Sequence, residues 1–134
     1  MSTIHSRNRG FSLIELMITI AIIALIATIA FPSYNNYVIK TNRAEGKAIT
    51  MQVAQTLERC FTRYASYIDE DCSIGNGDSI ASENDKFDVS VASTATTFTL
   101  TSTPDRADPE CTTLTLDHRG VRGHSGTGTV DDCW

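Results

Sequence analysis

Hydrophobic and polar positions change rhythm three times along the 134-residue chain. From Phe11 to Phe31 the run is almost wholly apolar: of 21 residues only Ser12, Glu15, Thr19 and Thr28 are polar. That length predicts a helix able to span a hydrocarbon core of about 30 Å. Pro32 follows; it removes an amide donor and clashes with the preceding turn, so a kink or local melting is expected there. Phe31 before it is biased out of the α region. The helical pattern then resumes. Ile49, Val53, Leu57, Cys60, Phe61 and Tyr64 recur every three or four positions, one apolar stripe. Arg43, Glu45, Lys47, Gln52, Glu58 and Arg63 fall on the other face, and Gly46 is a weak point. A helix from Phe11 to about Tyr64 would be roughly 80 Å long. Its first half is apolar all round; its second half is amphipathic and needs a sheet to pack on.

Residues 65–85, rich in Gly, Ser, Asn and Asp, read as a loop. Asp69, Asp71, Ser73 and Asp78 only partly fit a calcium loop, because Ile74 stands where its glycine belongs, so a solvated acidic loop is the reading. Beyond Lys86 the period becomes two. KFDVSVA places Phe87, Val89 and Val91 on one face; TTFTLTST does the same with Phe98 and Leu100; TLTLD with Leu114 and Leu116. Ser93–Ala95 is short enough for a hairpin, HRGVRG reads as a turn, and the tail SGTGTVDDCW as loop with Trp134 covering the domain edge. Three to four antiparallel strands with one apolar and one Thr-rich face, packed on the amphipathic helix, make an α+β domain.

Composition adds two constraints. About a hundred residues outside the apolar run make a small core, and small cores usually need staples. Cys60, Cys72, Cys111 and Cys133 allow three pairings; the economical one joins Cys60 to Cys72 and Cys111 to Cys133, each loop contributing about 3 kcal/mol in the chain-entropy model. Two disulfides suit an oxidising compartment. Zinc is disfavoured, since no Cys-x-x-Cys occurs and no His lies at ligand spacing. Net charge is −5, with Arg7 and Arg9 ahead of the apolar run and nine Lys/Arg against fifteen Asp/Glu from Tyr34 onward. That acidity argues against nucleic acid as a partner of the whole surface.

Arg7 and Arg9 put the N-terminus on the cytoplasmic side and the remainder outside. An ordinary secretory signal cut near Ala30 fits poorly, because the apolar run is too long and carries Glu15. A plain single-span anchor leaves that carboxylate without a role, and an acid near the bilayer centre costs about 2.5–3.5 kcal/mol. The stretch RGFSLIELMITIAIIALIATIAFPSY instead resembles the class III signal of type IV pilins and pseudopilins. The resemblance implies removal of residues 1–10 as a leader between Gly10 and Phe11, and N-methylation of Phe11, by a membrane prepilin peptidase/N-methyltransferase. Residues 11–33 would be retained as membrane anchor and filament core, and 34–134 would form the periplasmic domain. It also gives Glu15, fifth in the mature chain, a role: pairing with the freed amine of Phe11 on the same or a neighbouring subunit and so setting register.

PSYNNYVIKTNRAEGKA, TATTFTLTSTP and CTTLTLDHRGVRG…DDCW extend the likeness to type IVa minor pilins of the PilE-like class, more loosely than the signal. In that class the C-terminal cysteine loop corresponds to Cys111–Cys133, while a Cys60–Cys72 pair is less general. The resemblance implies other pilin subunits, the inner-membrane assembly platform and inner-membrane lipid as partners. It implies a single-pass inner-membrane precursor, then an extracellular pilus with roles in twitching motility and adhesion. No catalytic constellation accompanies it: His5 lies in the leader, His118 and His124 in polar Gly-rich sequence, and there is no HExxH, GxSxG or phosphate loop. A non-enzymatic structural subunit without cofactors is expected. Minor pilin leads; major pilin, secretion pseudopilin, and a DNA-uptake or adhesive pilin using a patch of Arg106, Arg119 and Arg122 remain as alternatives.

Overall fold

A computed structural model of the chain describes residues 10–134; the expected leader, residues 1–9 with Arg7, Arg9 and His5, lies outside the described residues. Two compact units divide between Tyr37 and Val38, and each is described by itself. Helix α1 is assigned over Leu13–Tyr64 with Pro32 inside it. Residues 11–34 are all exposed, among them Phe11, Leu13, Ile29 and Phe31, each more than 70% accessible. By length and composition this part of α1 could cross a membrane.

The second unit is an α+β domain. The rest of α1 packs on a five-stranded antiparallel meander in the order β1-β2-β3-β4-β5: β1 Ser79–Ala81, β2 Phe87–Ser93, β3 Phe98–Pro104, β4 Thr113–Asp117, β5 Arg122–Ser125. Register places Val91, Leu100 and Leu116 side by side, so one row of aliphatic side chains crosses three strands on the helix-facing side. Val53, Ala54 and Leu57 of α1 close over it with Val89, Phe98 and Tyr67. A second cluster joins Phe87, Leu114, Cys111 and Cys133, and the partly buried Ile49 and Trp134 pack on both clusters. The opposite face carries a row of Ser79, Ser90, Thr101 and Thr115, as the Thr-rich alternation predicts.

Four readings from sequence change. Five strands form, not three to four, because β1 lies inside the stretch read as loop and β5 overlaps the stretch read as turn and tail. Both are short edge strands without an apolar alternation to mark them. The tail is not all loop: α2, one turn over Val130–Cys133, is capped at Thr129, whose hydroxyl accepts from the Asp132 amide while the Asp132 carboxylate accepts from the Thr129 amide. Gly46 is a contact point rather than a weak point. A Cβ there would lie 2.6 Å from the Phe87 ring, so the missing side chain lets helix and sheet approach. Arg43, assigned to the wet face, is 4% exposed.

Candidate assembly helix and the locked C-terminal loop

The N-terminal group of expected site residues sits at the start of α1. Ser12 opens the helix: its hydroxyl accepts from the Glu15 amide at 3.2 Å and its carbonyl from the Leu16 amide. Glu15 is therefore the third residue of the first turn, where unpaired amides and the helix dipole favour a negative charge. Its carboxylate has no partner among the described residues. The two threonines of the run are satisfied internally, Thr19 donating to Leu16 and Thr28 to Leu25, each at 2.7 Å. Glu15 is thus the one side chain between Leu13 and Phe31 whose polarity the helix leaves unspent. Gly10 and Phe11 are exposed. A Cβ built on Gly10 meets nothing within 4 Å, and its φ lies outside the left-handed region, so the described fold itself does not require glycine there. Pro32 denies a donor to the Thr28 carbonyl inside α1.

In the second unit the cysteines join as Cys60–Cys72 and Cys111–Cys133. The first ties the end of α1 to the loop that follows; Tyr67 in that loop is buried, stacks on Phe61 at 4.5 Å and donates to Glu58 at 3.0 Å. Burial first, then the Glu58 hydrogen bond and charge, push the Tyr67 hydroxyl up to about 12.

The second disulfide lies in a network that sequence reading missed. Arg43 on α1 grips Asp108 with two nitrogens, at 2.8 and 2.9 Å. The same guanidinium reaches Glu110 at 3.1 Å and the Asp132 carbonyl of α2 at 3.0 Å. Asp108 also accepts from the Cys111 amide. Burial opposes the charge on Arg43, and the hydrogen bonds to Asp108 and Glu110 outweigh it, leaving its pKa above the ordinary value. One turn on, Lys47 donates to the Trp134 carbonyl at 2.9 Å. Trp134 donates from Nε1 to the Gly123 carbonyl at 2.7 Å, with the Arg122 guanidinium over its ring. The C-terminal segment after the loop closed by Cys111–Cys133 is thereby fastened to α1 and to β5. Arg43 is separated from Asp108 by 65 residues, and no local pattern marks that pairing.

The suggested arginine patch does not assemble. Arg119 lies in the β4–β5 turn and Arg122 opens β5, whereas Arg106 follows β3 at the other end of the sheet. Thr99 pairs with Asp117, and the five steps from Thr99 to Pro104 span about 17 Å. Among the described residues no group of His, Cys, Asp and Glu could hold a metal ion.

Comparison with known proteins supplies the frame for these two regions. A family model described as type IV minor pilin ComP, DNA uptake sequence receptor, matches residues 32–115. The prokaryotic N-terminal methylation motif matches residues 5–31. Type IV major fimbrial proteins FimA of Dichelobacter nodosus are similar: one is 40% identical over 57 residues, covering 40% of this chain and 36% of its own. Another is 39% identical over 70 residues, covering 52% and 44%. The chain thus spans about a third to under half the length of these relatives. With the ComP model taking in more than half of its residues and the methylation motif in front of it, the chain belongs to the type IV pilin family.

Proposed function

We propose that this chain is a minor pilin, a structural subunit of a type IV pilus. The leader is removed between Gly10 and Phe11, Phe11 is methylated, and residues 11–33 hold the subunit in the inner membrane with residues 34–134 in the periplasm. The assembly platform then moves the helix from lipid into a bundle of other pilins' helices. Lipid is already apolar, so the new contacts gain packing rather than dry area, and register must come from something else. Glu15, paired with a neighbouring or its own Phe11 amine, supplies it. The observation that carries the reading is the exposed apolar helix with one unspent carboxylate, set five residues after a glycine that the described fold does not require. Twitching and adhesion follow as properties of the filament. A major-pilin role differs only in abundance.

The ComP description favours a further role for the head, capture of DNA, with the subunit displayed on the filament. It outweighs the argument from net acidity, which concerns the sum of charges and not their placement.

Mass spectrometry of protein sheared from the cell surface tests the main reading. A methylated N-terminus at Phe11 in filaments dominated by another pilin is expected; an N-terminus downstream of Ala30 overturns it. Gly10→Leu should leave the leader attached, and normal processing in that variant would remove the cleavage assignment.

A further inference from the structure

From Val38 onward the charges are nine basic and fifteen acidic, yet they are not mixed evenly. Six acids, Asp69, Glu70, Asp71, Asp78, Glu83 and Asp85, lie on the connection from α1 to β2. The side of α1 that faces the β4–β5 turn has a different character. Lys47, Met51, Gln55 and Arg59 follow one another at four-residue intervals and so share one helix face. A groove of about 470 Å³ separates Gln55 and Arg59 on this face from His118 and Arg122 across it, with Met51, Phe98 and Leu116 contributing apolar floor.

Two acids border the groove and both are engaged. Glu58 accepts the Tyr67 hydroxyl. Asp117 accepts from the Arg119 side chain at 3.0 Å and from the amides of Arg119 and Val121 at 2.9 Å. Arg59 and Arg122 are exposed, and neither pairs with a carboxylate among the described residues. Arg122 instead lies over the Trp134 ring, its guanidinium carbon 5.5 Å from the ring centre, a contact that holds the guanidinium without neutralising it. Burial first, then the charges of Arg43 and Arg122, hold the nearby Lys47 amine below its ordinary pKa. Two guanidiniums without a carboxylate partner in contact, both lining a groove with an apolar floor, match a strand that alternates phosphate with sugar and base.

We propose that this groove is where the head holds DNA, with backbone phosphates on Arg59 and Arg122 and the sugar and base edges of the same strand against Met51 and its apolar neighbours. The assignment rests on the DNA-capture reading above and adds its contact surface. Arg106, at the far end of the sheet, takes no part.

The test is fluorescence anisotropy of a labelled duplex with the full-length mature chain in detergent micelles, over a salt series. The Arg59→Gln/Arg122→Gln double variant should lose about 10- to 100-fold in affinity at moderate salt, and the slope of log K against log salt should fall by about two. Arg122→Lys in the Arg59 background should restore most of the slope, and Arg106→Gln should leave both affinity and slope unchanged. If the parent chain binds and the double variant binds equally with the same slope, the groove is rejected and DNA capture stands. If Arg106→Gln lowers the slope as much as the double variant does, the localisation is likewise rejected. If the parent chain shows no binding, both the groove and the DNA-capture reading fall.

Discussion

The two parts of α1 reverse the usual relation between greasiness and burial. Between Phe11 and Phe31 the residues are overwhelmingly apolar and all are exposed. Beyond Val38 the helix carries Arg43, Glu45, Lys47 and Glu58, and its buried positions include an arginine, a glycine and a threonine beside Val53 and Leu57. The first part leaves its apolar surface uncovered within the single chain, as the proposed roles in membrane and filament require. The second part has already met its partner in the sheet and closed its polar groups against the C-terminal loop. Substitutions in the first should act on assembly and leave the head's stability alone; substitutions in the second should do the reverse.

The sharpest break in that contrast would come at Glu15. Glu15→Ala should keep cleavage and the head's melting temperature, yet cut incorporation into filaments by two orders of magnitude or more, because an unmatched buried amine costs about 3–5 kcal/mol. Filament content by immunoblot against a processing assay reads both. Unchanged incorporation would dissolve the register role and leave only the first-turn position of the carboxylate.

Asp108→Ala should be the largest effect in the head. It strips Arg43 of its bidentate partner while the guanidinium remains buried, and denaturant unfolding should report a loss of about 3–5 kcal/mol. Next is pH. Tyr67 ionises near 10 when unfolded and at about 12 when folded, so this contribution is whole below pH 10 and declines as pH rises towards 12. Stability should fall by about 2 kcal/mol over that interval through this group, and Tyr67→Phe should flatten that part of the profile. Gly46→Ala should cost about 1–2 kcal/mol in thermal melts although alanine is the better helix former, because the Phe87 ring has to move. The smallest effect is expected at Ser102, whose fully buried hydroxyl has no hydrogen-bond partner among the described residues. Ser102→Ala should be neutral or stabilise by up to about 1 kcal/mol.

Periodicity was a good guide wherever one surface alone decides burial. The alternation of Phe87, Val89 and Val91, and of Phe98 and Leu100, is the burial pattern of β2 and β3, and Val53, Leu57 and Cys60 are the buried spine of α1. It failed at β1 and β5, where an edge position and three or four residues leave no pattern to read. It also failed at Arg43, whose partners come from distant sequence. The cap of α2 was legible in T-V-D-D, a hydroxyl three residues before an acid, but the surrounding glycines pointed to loop. The N-terminal methylation motif over residues 5–31 is one contiguous stretch and could be read directly. The groove could not, since Arg59 and Arg122 come together only through the packing of α1 on the sheet.

The indole of Trp134 has a consequence for crowding. On the proposed filament this head would stand among many other pilin heads, a setting in which open sheet margins invite one head to add strands to the next. Here one margin is three residues long, and on the other the Gly123 carbonyl is already occupied by Trp134. One short margin and one occupied carbonyl leave neighbouring heads less backbone from which cross-β stacking could start, which suits the proposed growth through the helices.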